Sequence, residues 1–391
     1  VTGPVTAFAP GRVNLIGDHT DYAGGRCLPL PLDRGTTAVA TPRPDRTLSA
    51  WSAAFSDEPV TATIDPSAVP VRTGRWHDLV RGVLWALARR GLLTAPGWDL
   101  RIDSTVPVGA GLSSSAALAC AVATAVTAPG ADRAALIAAC IEAEHAVVGA
   151  PVGGMDQTVA VHGRAGHGLV LDFSRDAVHP IRPVPLPLHR LGARLLVIDT
   201  GERHRLADSA YPARRADTAA AARLCGGADL AAAGPPAQVL AVIGLRAAPA
   251  DRDRLIRRAR HVRTECARVD AVAALLRAAA SGPEPAAPDV ARAAALGALL
   301  TASHRSLATD FAVSTPLLDR VVAAALSAGA YGARLTGGGF GGAVLVLAPV
   351  DRADVVARAA RRQIAAAGTD AAAVFTARTG PGAHRTAGPS A

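Results

Sequence analysis

The chain contains no lysine: all 41 of its basic residues are arginine. That absence removes several chemistries at once. There is no Walker-type lysine for phosphates, no amine for a Schiff base and no lysine for the ion pair of a protein kinase. Any nucleotide has to be held by backbone amides, hydroxyls, arginine and a metal ion. Alanine runs such as Ala219–Ala222 and Ala278–Ala280 accompany the bias, and together they read as the base composition of a GC-rich genome. Aromatic residues are only 3% of the chain, which leaves little to stack on bases. The net charge of +9 is therefore read as a solvated basic surface, not a nucleic-acid footprint.

No apolar run reaches the ~20 residues needed to span a bilayer. The stretch from Val1 to Pro10 lacks a basic start and an apolar core, so no export signal and no membrane partner are expected. The five cysteines (Cys27, Cys120, Cys140, Cys225, Cys266) are odd in number, scattered and without a CxxC pair. They read as reduced thiols acting as small apolar residues, which places the protein in the cytoplasm. What the chain does have is 391 residues, half of them hydrophobic and 19% charged. That is enough for two domains, each with its own core.

Up to about residue 190, short β-like runs alternate with two helices. The first helix runs from Ser113–Ser115 to about Val126. The second covers about Asp132 to Val148, with Asp132 as N-cap and Gly149 just past its end. Arg194–Asp199 reads as a buried strand. Helical patterns follow at Tyr211–Leu224, Arg252–Ala280, Ala291–Leu307 and Leu318–Gly329, then a strand at Ala343–Leu347. The Gly/Ala/Pro-rich stretch Gly226–Gln238 is expected to be a loop. The mixture predicts an α+β protein with domains at 1–190 and 191–380 and a disordered tail at 381–391.

Three segments carry chemistry. In Ala9–Gly25, Arg12, Asn14, Asp18, His19 and Asp21 stand between glycines, a set of donors and acceptors suited to a polyhydroxyl ligand. Alone, the segment reads better as a polar turn capped by Asp and Gly. In Val106–Leu118, Gly109 and Gly111 let backbone approach an anion, and Ser113, Ser114 and Ser115 open a helix whose terminal amides face it. An ordinary helix start is the other reading. In Tyr331–Gly342, five glycines fall within six positions ahead of an apolar strand. Such a loop costs folding entropy and makes sense where backbone must touch a ligand or another loop.

These three segments, in this order, resemble the signature motifs of the GHMP small-molecule kinases, and the first has the galactokinase form GRVNLIGxHTDYxGG. The likeness continues through Met155–Gln157, Arg203–Arg215, Arg260–Glu265 and Ser303–Leu307, to about residue 378. It implies an N-terminal domain like ribosomal protein S5 domain 2, a ferredoxin-like C-terminal domain and a site between them. It further implies ATP-dependent phosphorylation of the anomeric hydroxyl of galactose, with Mg²⁺, by a monomer or weak oligomer.

The resemblance assigns roles position by position. Asp156 matches the catalytic carboxylate, where its bland reading is a helix N-cap. Arg12 matches the residue bridging that carboxylate, the sugar hydroxyl and the γ-phosphate. Asp18, His19, Asp21, Gly153 or Gly154, and Tyr211 match sugar contacts. Gly109, Ala110, Gly111, Leu112 and Ser113–Ser115, with Gly338 and Gly339, match the nucleotide's surroundings. Glu144 and Ser115 (or Ser114) match the Mg²⁺ ligands; an exposed helix carboxylate is the other reading of Glu144. Trp51, Trp76, Trp85 and Trp98 read as packing, although Trp76 could also border the adenine. His162, His167, His204 and His304 have no metal-ligand spacing.

One position departs from the family. Galactokinases usually carry glutamate where this chain has Asp18. Shortening by one methylene withdraws the carboxylate by roughly 1.5 Å. The alternatives are weaker galactose binding, a compensating backbone shift, or another sugar such as N-acetylgalactosamine, arabinose or an unusual hexose. A non-catalytic sugar/ATP-binding sensor of the same fold is the reading from a different class.

Overall fold

The computed structural model describes residues 3–55, 58–150, 152–174, 181–202, 207–369 and 373–386. In chain order the first elements are β1 (Val5–Ile16), β2 (Arg26–Arg43), β3 (Thr47–Trp51), β4 (Val60–Thr63), α1 (His77–Arg89) and β5 (Gly97–Ser104). Then come α2 (Ser114–Val126), α3 (Arg133–Ala143), α4 (Met155–His162), β6 (His167–Asp172) and β7 (Arg182–Pro185). The chain continues through β8 (Ala193–Asp199), α5 (Ala207–Leu224), α6 (Pro236–Arg246), α7 (Pro249–Ala280) and α8 (Val290–Thr309). It ends with α9 (Pro316–Ser327), β9 (Gly332–Thr336), β10 (Ala343–Pro349), α10 (Ala353–Ala366), β11 (Val374–Thr376) and β12 (His384–Thr386).

The strands form two sheets. The first has the order β12-β1-β2-β5-β3-β4, with β6 on β2 and β7 on β6; the second is β11-β8-β10-β9. Every pairing is antiparallel except β3 with β5. The alternation of strands and helices thus produces the expected α+β architecture. The chain leaves the first sheet at Pro185 and enters the second at Ala193.

Three large cores hold the layers together. Ala38, Leu48, Trp98 and Leu100 of the first sheet pack against α1, α2 and α3. Ile198, Leu335 and Val344 of the second pack against α5, α6, α7, α9 and α10. The third core joins the two sheets: Val13, Leu15 and Ile16 of β1 meet Leu195, Val197 and Leu345, closed over by Leu276 of α7 and Leu300 of α8. β1 therefore carries its polar residues straight into the junction. Its pairing with β2 shifts register between Pro10 and Arg12 and again between Asn14 and Ile16. Such irregularities re-aim side chains, and these two bracket Arg12 and Asn14.

The helix starts follow local chemistry. Asp132 caps α3, accepting from the amides of Ala134 and Ala135. The rest of that predicted helix, Glu144–Val148, winds as a π-turn ended by Gly149 at φ 77°. Turns of this kind often mark functional positions.

Two expectations are corrected. The Gly226–Gln238 stretch is not a plain loop: Leu230–Ala232 makes a 3₁₀ turn, and α6 starts at Pro236. Leu230 within it and Val239 and Ile243 of α6 are buried, and proline suits a helix's first turn. Nor is the tail disordered throughout. Residues 384–386 pair with β1 as its outer neighbour, because the first sheet otherwise leaves the edge of β1 open; 387–391 lie outside the described residues.

Candidate active site

The site is assembled from the end of β1, the two glycine loops and the first turn of α4. Arg12 reaches Asp156 through two parallel bonds, Nε to Oδ1 at 2.7 Å and Nη2 to Oδ2 at 2.9 Å. This fork geometry fixes the carboxylate's orientation as well as its distance. Nη1 of Arg12 donates to the Gly111 carbonyl at 2.6 Å, and its backbone amide to the Leu112 carbonyl at 3.0 Å. Ser113 Oγ donates to Asp156 Oδ2 at 2.5 Å. The arginine thus ties the Asp156 carboxylate to the Gly–Ser loop. Asp156 is not an N-cap; Gly154, at φ 97°, occupies that position.

Asp156 opens onto a polar cavity of about 200 Å³ lined also by Arg12, His19, Asp21, Gly153, Gly154, Tyr211 and Gly338. Burial, followed by the charge of Asp156, pushes the Asp21 carboxyl up to about 6. A side chain on Gly153 would meet Asp21 Oδ2 at 2.0 Å and would have to displace that carboxylate. His19 contacts Tyr22 Oη at 2.8 Å through Nδ1, and its ring lies 4.7 Å from that of Phe311. Burial drives its imidazole down to about 3, leaving it neutral at working pH. The Tyr211 ring stands 5.5 Å from His19, and burial keeps its hydroxyl well above the usual range. Closely set carboxylates, a neutral imidazole and a phenol offer a polyol both acceptors and donors.

A second cavity, about 280 Å³ and mainly apolar, lies on the far side of the Ser114–Ser115 turn. Trp76 and Phe55 stack in its wall with ring centroids 5.7 Å apart, beside Val106, Val108 and Leu118. A planar base fits such a wall. Ser114, Ser115 and Glu144 line the end nearest α2. Glu144 is only 3% exposed, which overturns its reading as an exposed helix carboxylate. Burial, then the charge of Asp156, raises its carboxyl to about 7, while Ser115 and Gln157 beside it pull the other way. Its Oε1 has no hydrogen-bond partner among the described residues. A buried carboxylate next to a hydroxyl, with an orphaned oxygen, suits a Mg²⁺ ion that takes its other ligands from phosphate and water. No group of three or more His, Cys, Asp or Glu side chains among the described residues forms a metal cluster.

The predicted residues therefore divide between the cavities. Ser114, Ser115 and Glu144 face the apolar one. Ser113 instead bonds Asp156, and the side chains of Ala110 and Leu112 are buried in the core. Gly337 packs on the Gly111 backbone, where a side chain would meet Gly111 O at 2.9 Å. Gly338 lies on the polar cavity beside Tyr211, and Gly339 packs against the Val313 carbonyl. Asp18 also edges the polar cavity, but its carboxylate is taken by Arg334 Nη2 and by the Gly337 amide at 3.1 Å. Sequence reasoning missed Arg334, Phe55, Tyr22, Phe311 and the role of Gln157. Arg334 stood inside the third motif, Tyr22 inside the first and Gln157 beside Asp156. Phe55 and Phe311 gave no local signal. Trp85 and Trp98 are core residues as expected, and Trp51 packs under Arg101, 4.7 Å from ring to guanidinium. His204 lies outside the described residues.

Two domains meeting at paired cavities, with a glycine loop at each, define the site of a small-molecule kinase. The N-terminal and C-terminal domain models of the GHMP kinases match residues 78–164 and 286–366, and the galactokinase galactose-binding signature matches 2–42. The chain is 42% identical over 380 residues to a galactokinase of Streptomyces coelicolor, covering 96% of this chain and 93% of the relative. It is 41% identical over 382 residues to one from Mycobacterium tuberculosis, covering 97% and 98%. It belongs to the galactokinase family. The crystal structure of Lactococcus lactis galactokinase complexed with galactose superposes with a TM-score of 0.86 at 27% identity, over 97% of this chain and 95% of that one. Methanococcus jannaschii mevalonate kinase, at 16% identity and a TM-score of 0.60, shares the fold.

Proposed function

We propose that the protein is an ATP-dependent sugar-1-kinase that converts D-galactose and ATP to galactose 1-phosphate and ADP. The observation that carries this reading is the Arg12–Asp156 fork, set where the polyol cavity meets the Gly–Ser loop. A galactose in the polar cavity brings its anomeric hydroxyl to Asp156. Asp156 orients that hydroxyl and takes its proton as the sugar oxygen bonds to the γ-phosphorus and the bond to the β-phosphate oxygen breaks. Because phosphoryl transfer is largely dissociative, fixing the nucleophile in line matters more than early proton removal. Arg12 holds Asp156 in place and lends positive charge to the transferred group. The amides opening α2 and the glycines of its loop receive the phosphates without lysine. Glu144 and Ser115 would hold Mg²⁺, which supplies charge neutralisation at the phosphates. Trp76 and Phe55 border the base. The five free thiols, four of them buried, support a cytoplasmic setting, and the reaction needs no partner beyond the sugar and ATP.

The test is phosphorylation of a sugar panel by wild type and Asp156→Ala. Galactose is expected to be the preferred substrate, ahead of N-acetylgalactosamine and arabinose. A wild type that turns over no sugar, or an Asp156→Ala variant as active as wild type, would sink the reading.

A further inference from the structure

Asp18 belongs to the sugar motif by sequence, yet its environment is that of a structural tie. Its side chain is 3% exposed and that of Arg334 is wholly enclosed. Arg334 directs Nη2 to Asp18 Oδ2 and Nη1 to two main-chain carbonyls of β1, Asn14 O at 3.2 Å and Leu15 O at 2.9 Å. Asp18 Oδ1 receives the Gly337 amide at 3.1 Å. Two residues along, Thr336 Oγ1 donates to Asn14 O at 2.9 Å and receives the Asn14 amide at 3.2 Å. The motif is held from behind as well: Gly17 N donates to Glu265 Oε1 at 3.0 Å, and His261 Nε2 meets Asp18 O at 3.1 Å. Each of Asp18's carboxylate oxygens thus already has a partner on the third motif.

What this tie connects decides its role. On one side are the residues that face the polyol: His19, next after Asp18, Asp21 a little further on, and Arg12, just before Val13 and Asn14. On the other is the glycine loop, whose Gly337 rests on Gly111 of the Gly–Ser loop and whose Gly338 lines the sugar cavity. The buried pair joins the sugar motif to the glycine loop directly, so a ligand that settles either can act on the other through it.

We propose that Arg334 and Asp18 are positioning residues that couple the two cavities, so that nucleotide and sugar bind synergistically. On this account position 18 does not select the sugar; it registers the sugar motif against the phosphate loops. The inference rests on the kinase reading above.

Calorimetry tests it. The galactose Kd is measured with and without Mg²⁺ and adenylyl-imidodiphosphate, for wild type, Asp18→Asn and the double variant Asp18→Asn/Arg334→Met. The double variant removes both charges, so neither is left buried alone. The Asn side chain still accepts from Gly337. In wild type the analogue is expected to tighten galactose by about fivefold or more, the usual range of coupling between sites. In both variants that factor should fall below about twofold. The ranking of galactose against its 2-deoxy and 6-deoxy forms should not change. Coupling that persists in the variants, or a wild type without coupling, overturns the proposal. An altered deoxy-sugar ranking returns Asp18 to a direct sugar contact and also overturns it. Melting of both variants below the assay temperature would assign the pair to stability alone. A wild type that binds neither galactose nor the analogue instead defeats the kinase reading itself.

Discussion

Arg12 and Asp156 stand 144 positions apart in the chain and meet through two parallel hydrogen bonds of 2.7 and 2.9 Å. The pair exists because β1 breaks register beside Arg12 and because α4 begins at a left-handed glycine that turns Asp156 inward. Neither side chain could be oriented this way by a single contact. Asp156→Asn keeps the shape but cannot take a proton. Its kcat should fall by about 10²–10⁴, with galactose Kd moving less than about tenfold. Arg12→Lys keeps the charge without the fork, and its kcat should also fall, by about tenfold or more. Steady-state rates paired with calorimetric binding separate these effects.

Glu144 carries a second prediction. Its folded carboxyl sits at about 7 against an ordinary 4.5. Without ligand, the folded state therefore holds a proton that the unfolded state has lost between these values. Stability falls as pH rises through that window, and the penalty is complete above pH 7. Glu144→Gln should accordingly raise the ligand-free Tm at pH 8 and leave it nearly unchanged at pH 4. The same variant should need at least about tenfold more Mg²⁺ for half-maximal rate, since it loses the anionic ligand. A variant less stable than wild type at pH 8 would contradict the argument.

Asp21 titrates in a similar sense, at about 6 against 3.8. A sugar that needs its ionised form as acceptor must displace that proton. Galactose affinity should drop as pH falls below 6, and binding at pH 6 should release a measurable fraction of a proton in buffers of different ionisation enthalpy. Asp21→Asn should bind more weakly at pH 7.5 and lose the pH dependence.

Gly153 tests the packing of the sugar cavity. Gly153→Ala places a methyl group where Asp21 Oδ2 now sits, at 2.0 Å. The carboxylate has to move, so the KM for galactose should rise by about tenfold or more, the scale of one lost charged hydrogen bond. The KM for ATP should stay within a factor of about two.

Trp76 tests the other cavity. If its ring borders the base, Trp76→Ala forfeits a stacking contact worth about 1–3 kcal/mol. The KM for ATP should rise by roughly fivefold to a hundredfold while that for galactose is unaffected. Equal changes in both would point to a packing defect.

Much of this was legible because local backbone demands leave a residue-level signature. Gly109 and Gly111 adopt positive φ, Asp132 caps its helix, and the serine run opens α2 at the residue expected. Apolar periodicity located α7, α8 and β8 to within a few residues. The Gly226–Gln238 stretch misled because glycine and proline there punctuate short helices instead of excluding them. The tail misled because its polar composition conceals an edge strand whose partner lies at the other end of the chain.

The sequence by itself determined which chemistry was possible. Lacking lysine, it left main-chain amides, hydroxyls, arginine and a bound cation as the means of holding phosphates, and the three motifs carry amides, hydroxyls and arginine. Only the tertiary structure decided which groups pair. Asp18 meets Arg334 across 316 positions, and Glu144 is buried where sequence allowed an exposed carboxylate. Backbone conformation answers to neighbours in the chain, so it can be read locally. Burial and charge pairing answer to whatever the fold brings alongside, and no spacing encodes them.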